Sequence, residues 1–300
     1  MFNRATRLYA TIASQIPSQN MRELDRTVLK ALSRSQQSFG EIARQSTERA
    51  DKVLPYALPY ESRPVASRRA SLAGIVLVAH CVRNPQGDHK VTVCSGFAIE
   101  NRGITGGNAI ITCAHTLQEL RRSSLAAQDN LTSGSFVLAP RPDGTMMLSP
   151  VSEVLSALPR YDLLLLKTAD LLPIATLPIS PYPAPRDTAI QLHLVAHDQP
   201  PGHGWTRWTS EIWQSWPAGR VLGYRDFAGR EAQPGSYDSL ANMFISTLPT
   251  PGSSGGPIIE ESSGTVIGVV LGTRMDSRIE GVRGWGVPAE TIYEMFSLQI

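Results

Sequence analysis

"TPGSSGGPII", Thr250 to Ile259, sets two serines and three glycines between prolines and then runs into an apolar segment. It reads as a tight turn feeding a buried strand. The frame from Gly252 to Gly256 also satisfies Gly-x-Ser-x-Gly, the strand-to-helix elbow of α/β hydrolases. Chain order decides between the two folds. In that hydrolase fold the histidine follows the serine, whereas all six histidines (His80, His89, His115, His193, His197 and His203) precede Ser254. The hydrolase reading fails on this order.

The texture around the stretch points the same way. "AGIVLVAHCV", "KVTVCSGFAI", "NAIITCAH", "GSFVLAP" and "YDLLLLKT" are short Val-, Ile- and Leu-rich runs bounded by Gly, Pro, Asn or Asp, as antiparallel strands are. A proline-dense segment, "LLPIATLPISPYPAPRD", separates them from a second set: "TAIQLHLVAH", "GRVLGYRD", "NMFISTL", "PIIEE", "TVIGVVLGT" and "GWGVP". Two groups of short strands joined by one crossing segment indicate an all-β protein of two antiparallel barrels. The tail "PAETIYEMFSLQI" reads as a closing helix, with Glu290 in its first turn where the helix dipole favours an acid.

A serine hydroxyl is a poor nucleophile at neutral pH and needs a base within hydrogen-bond reach, itself oriented by a carboxylate. "AIITCAHTL" ends an apolar strand in a small-residue turn and presents His115 just before a helix. "RYDLLLLKT" sets Asp162 at the head of a strongly apolar strand, where a carboxylate can sit beside the core. Each match alone is weak. In the order His, Asp, Ser they become specific.

With these three segments the chain resembles the chymotrypsin-like, or trypsin-fold, serine peptidases. Thr-Cys-Ala-His at 112–115 is similar to their Thr-Ala-Ala-His, Asp-Leu-Leu-Leu-Leu-Lys at 162–167 to their Asp-Leu-Ala-Leu-Leu-Lys, and Gly-Ser-Ser-Gly-Gly-Pro at 252–257 to their Gly-Asp/Asn-Ser-Gly-Gly-Pro. The resemblance covers roughly 71–300 and implies two six-stranded barrels, about 71–170 and 187–300, with the three residues meeting between them. It implies an acyl-enzyme on Ser254, with His115 moving the proton, Asp162 fixing the imidazole, and the amides of Gly252 and Ser254 as oxyanion hole. The implied substrate is polypeptide, with no metal or cofactor.

Ser253 stands where secreted members activated from zymogens carry an aspartate, and their cysteine pairs are missing. "GVPAETI" at 286–292 resembles the Ala-Ile-Pro-Ser-Glu segment of HtrA-like proteases, although the PDZ domain usual in that group has no counterpart here. The same resemblance walls the specificity pocket with Leu271, Gly272, Thr273, Gly284, Trp285 and Gly286 and puts Leu248 near its base. No acid appears among them, so small or apolar side chains are expected there rather than Arg or Lys. The competing expectation is a catalytically silent trypsin-fold protein that binds peptides, with Trp285 filling the pocket.

Composition excludes other classes. Three hundred residues with 42% hydrophobic and 18% charged content support a large core. A formal charge of +2 without a basic run leaves nucleic acid an unexpected partner. Three cysteines (Cys81, Cys94, Cys113) are too few for a disulfide framework, which suits an intracellular location, and no apolar run is long enough to span a membrane. Residues 1–20 carry Arg4 and Arg7, many hydroxyls and no acid, a composition shared by mitochondrial transit peptides and ordinary basic tails.

From Met21 to about Ala50 an amphipathic helix is expected, with an Asn20/Glu23 capping box and a stripe of Met21, Leu24, Val28, Leu32, Phe39 and Ile42. Packing on the chain itself is the expected use of that stripe, with a second copy or a lipid surface as alternatives. A proline-punctuated link closes this 1–70 region. His193 and His197 lie on a strand-like run, which separates them by about 13 Å and denies them a shared metal. Cys94 and Cys113 are expected as buried thiols, and the tryptophans of "GWTRWTSEIWQSW" as one face of the second barrel.

Overall fold

In the computed structural model, which describes residues 8–9, 12–14, 21–34, 40–58 and 74–297 except 101–102, 129, 142 and 210, two short strands come first, β1 (Leu8–Tyr9) and β2 (Ile12–Ser14). Two helices follow, α1 (Glu23–Leu32) and α2 (Glu41–Glu48), in place of the single expected helix. Gly40, left-handed at φ 80°, caps α2 and breaks the continuity that the hydrophobic spacing suggested. Leu24, Val28, Leu29 and Leu32 of α1 are buried against Leu77, Phe136 and Leu138, so the stripe docks on the chain's own first barrel. Asn20 and Phe39 lie outside the described residues. The expected capping box thus falls partly outside the described residues; within them the Glu211 carboxylate accepts from Glu23 N–H (2.8 Å) and Leu24 N–H (3.0 Å).

The first barrel is built from β3 (Ile75–Arg83), β4 (His89–Ile99), β5 (Ala109–Cys113), β6 (Thr132–Pro140), β7 (Met146–Leu158) and β8 (Leu163–Thr168). Antiparallel pairing runs β4–β3–β6–β7–β8–β5 and closes from β5 back to β4. A helix, α3 (His115–Arg121), follows β5. Residues 163–166, an unbroken leucine run, are buried on both sides because they face the barrel interior and the surrounding elements alike. Full burial of each such side chain contributes about 1.5–3 kcal/mol.

Residues 171–187 cross to the second barrel and bond to both. Leu177 N–H donates to Ala98 C=O (2.8 Å) and Ser180 N–H to Val266 C=O (2.9 Å). There β9 (Ala189–Leu192) is followed by a small separate sheet, β10 (Leu194–Ala196), β11 (Thr206–Arg207) and β12 (Trp213–Ser215). Then come β13 (Ala218–Arg225), β14 (Glu231–Ala232), β15 (Asn242–Ile245), β16 (Pro257–Glu260), β17 (Val266–Ser277) and β18 (Gly281–Pro288). The barrel order is β17–β16–β9–β13–β15–β18, closed by β17–β18, and β14 extends β13. Both barrels are thus six-stranded and antiparallel, as the resemblance implied.

The tryptophan expectation needs correcting. Trp205 packs on the second barrel's cluster, but Trp208 and Trp216 pack where the first barrel meets the second, their rings 4.7 and 5.0 Å from that of His193. Burial holds His193 neutral, its pKa pushed down to about 4, with its Nε2 3.1 Å from Gln214 Oε1. All three cysteines are buried free thiols. Among the described residues no helix is long and apolar enough to cross a membrane, and no acid, histidine or cysteine cluster is arranged to hold a metal.

The closing helix is one turn, α4 (Glu290–Tyr293), shorter than its sequence suggested. Burial, not the helix end, governs Glu290: its carboxyl is pushed up to about 7, and Oε2 finds no hydrogen-bond partner. The folded chain therefore binds more protons than the unfolded chain between about pH 4.5 and 7, and stability present at the acid end is lost as pH rises through 7. Glu290→Gln is expected to exceed the wild type by about 2–3 kcal/mol at pH 8, the gap closing toward pH 5. Urea midpoints across that range check it; a gap that does not change with pH contradicts it.

Candidate active site

His115 and Asp162 arrive together because β5 and β8 are neighbours, with Cys113 opposite Leu163. His115 is the first residue of α3, one step beyond the strand end. Asp162 precedes β8 in left-handed backbone, φ 61°, a conformation that Asp and Asn tolerate better than other side chains. This turn aims its carboxylate back at β5. Oδ2 lies 2.6 Å from His115 Nδ1, and Oδ1 accepts from Ala114 N–H at 3.1 Å. Ala114 N–H is shared with the Asp162 carbonyl at 2.9 Å. A carboxylate only accepts, so Nδ1 carries the ring hydrogen and Nε2 is the basic nitrogen. Cys113 Sγ sits 3.6 Å from Nε2, and burial pushes that thiol's pKa well up, so it faces the base as a thiol, not a thiolate.

The serine turn is held against this pair by a residue that sequence reading missed. Ser95 of β4, fully buried, donates its hydroxyl to Gly252 C=O (2.9 Å) and its N–H to Ser254 C=O (2.9 Å). Gly255 makes the approach close enough. A Cβ there would meet the Ser95 carbonyl at 2.3 Å, Thr112 Oγ1 at 2.6 Å and Cys113 N at 2.8 Å, and its φ is 81°. Any side chain at 255 would push the turn away from the strand that delivers His115.

The two serines separate by their partners. Thr250 Oγ1 donates to Val195 C=O (2.7 Å), so the 2.9 Å contact between the two hydroxyls has Ser253 donating to Thr250, while Val195 N–H donates to Ser253 Oγ (3.2 Å). Ser253 is thereby committed to tying the turn to β10. Ser254 Oγ donates to Leu271 C=O at 2.8 Å. Its one hydroxyl hydrogen rests on β17 and not on His115. Ser254 is fully buried and His115 only 6% exposed. Among the described residues the amides of Gly252, at φ 94°, and Ser254 donate to no protein acceptor.

The proposed pocket residues divide. Leu271, Gly272 and Thr273 lie on β17, and Trp285 of β18 pairs with Gly272. Trp285 is buried and fixed, its Nε1–H donating to Asn242 Oδ1 (2.9 Å) with the Arg274 guanidinium 5.6 Å from the ring. Leu248 is 52% exposed and does not form a buried base. Asp276, farther along β17, is buried but occupied by Arg225 (3.0 Å) and Arg283 (3.4 Å).

The sequence model of the trypsin-like peptidase domain matches residues 94–269. That span covers more than half of the chain and contains His115, Asp162 and Ser254. The chain belongs to the trypsin-like peptidase family. Solved structures similar to this trypsin-like chain include the MamO protease domain from Magnetospirillum magneticum in its apo form, at 16% identity over 74% of this chain and 96% of that one, TM-score 0.45. Deg5 gives 16% identity over 74% and 87%, TM-score 0.45. An inactive form of Rv3671c from M. tuberculosis H37Rv gives 18% over 78% and 93%, TM-score 0.43. Comparison with curated protein sequences finds no match.

Proposed function

We propose that the chain is a serine endopeptidase that uses Ser254, His115 and Asp162. The 2.6 Å bond that fixes the imidazole, with the glycine-flanked serine turn packed against the end of the strand that leads to His115, supports the reading best. Ser254 Oγ turns from Leu271 C=O to His115 Nε2 and attacks the scissile carbonyl while Nε2 takes its proton. The oxyanion receives the Gly252 and Ser254 amides. His115 returns the proton to the leaving amine, and water, deprotonated by the same nitrogen, then releases the acyl group. Asp162 holds the tautomer throughout and stabilises the imidazolium. The acid-free wall of Leu271, Gly272, Thr273 and Trp285 favours small or apolar residues before the scissile bond.

A second reading, a silent peptide-binding protein of the same fold, draws on the Ser254 hydroxyl resting on Leu271. Profiling a peptide library with wild type and Ser254→Ala tests the proposal. Peptides with Ala or Val before the cut are expected to react about 100-fold faster than those with Arg or Lys, since a buried unpaired guanidinium costs several kcal/mol. A preference for Arg, or cleavage that persists in Ser254→Ala, contradicts it.

A further inference from the structure

Two strands near Ser254 run past the partners that close their barrels. On β17 the edge paired with β16 ends at Val269, opposite Pro257. A little farther along, that edge is taken by the chain's own β1, antiparallel, with Tyr9 opposite Gly272 and Leu8 opposite Thr273. On β4 the edge paired with β5 spans Gly96 to Ile99. The stretch before it is taken by β2, again antiparallel, with Ile12 opposite Val93, Ala13 opposite Thr92 and Ser14 opposite Val91.

Both pairings border the nucleophile. Gly272 follows Leu271, whose carbonyl holds Ser254 Oγ, and Val93 lies two residues before Ser95, whose N–H binds the Ser254 carbonyl. Only Ala10 and Thr11 stand between β1 and β2 in sequence. β1 and β2, two residues apart in sequence, are thus tied one to each barrel, and Ser254 is fully buried.

We infer that β1 and β2 together are a tethered occupant of a peptide-binding groove formed by the edges of β17 and β4 with which they pair, and that they hold the site closed against other polypeptides. The groove recognises extended backbone, because its contacts are main-chain pairings that any non-proline sequence can make. The inference rests on the peptidase reading only for what lies beneath the segment. Tethering supplies an effective concentration of about millimolar, so a segment that binds in trans near 100 μM suppresses access about tenfold.

The test uses the full chain with Tyr9→Pro and Ala13→Pro, which break both pairings without touching His115, Asp162 or Ser254. A fluorophosphonate probe is expected to label this variant about tenfold faster than the wild type. Amide hydrogens of 91–93 and 272–273 are expected to exchange faster, and a synthetic peptide of residues 6–16 should slow both labelling and exchange. Equal labelling, equal exchange and no effect of the peptide overturn the inference. Faster exchange that the peptide reverses, in protein that never labels, keeps the groove and its occupant while removing the peptidase reading.

Discussion

Ser254→Ala lowers kcat/KM for the best peptide substrate by about 10⁵–10⁶-fold, the loss expected when the nucleophile is removed and only binding and oxyanion stabilisation remain. The substitution is a clean probe because it disturbs little else. The lost bond to Leu271 C=O is a single hydrogen bond, worth about 1 kcal/mol, and the turn keeps its attachments through Ser95, Ser253 and Gly255. Ser253→Ala serves as the contrast. It breaks the tie to Val195 and Thr250 and should cost stability while leaving a functioning nucleophile. Single-turnover assays with matched urea midpoints separate the two effects. A Ser254→Ala enzyme within tenfold of wild type excludes the proposed chemistry.

Asp162→Asn is expected to lower kcat by about 10⁴-fold with little change in folding stability. Position 162 has left-handed backbone, which Asn tolerates as Asp does, so the turn into β8 survives. The chemistry does not survive. An asparagine cannot accept from both Ala114 N–H and His115 Nδ1–H, because one of its two polar atoms is now a donor. With the amide oxygen on Ala114, the NH₂ group meets Nδ1 and forces the ring hydrogen onto Nε2, the nitrogen that must take the serine proton. Asp162→Ala adds a backbone penalty and is the less informative variant. A loss of less than tenfold in Asp162→Asn means that His115 does not need this carboxylate.

His115, Asp162 and Ser254 stand out in the sequence as candidates because each sits at or just before or after a strand with small or apolar neighbours, and the order His, Asp, Ser rules out the α/β-hydrolase arrangement. Ser95 is not, since a Ser-Gly pair inside an apolar run looks like any strand; its role exists only once the turn at 252–256 touches β4. Thirteen-residue β7 also escapes the pattern, because Pro150 and Glu153 interrupt the alternation that marks a strand. The α1 cap comes from Glu211, 188 residues from Glu23, a distance that local pattern cannot bridge. β1 and β2, two and three residues long, carry no periodicity at all, and the basic composition around them suggests a transit peptide or a tail rather than strands. Leu248 sits in a loop, where length varies freely among similar folds, and sequence pattern does not fix its exposure. Strand interiors are written in residue type; contacts between barrels are written in geometry.

The most direct measurement is the site of covalent modification. The Tyr9→Pro/Ala13→Pro protein is treated with a fluorophosphonate, digested, and the adduct located by mass spectrometry. One adduct on Ser254, absent from the same protein carrying Ser254→Ala and strongly reduced by Asp162→Asn, is the predicted result. Folded protein that takes no adduct, or takes it on Ser253 or Cys113 instead, contradicts the assignment of Ser254 as the nucleophile.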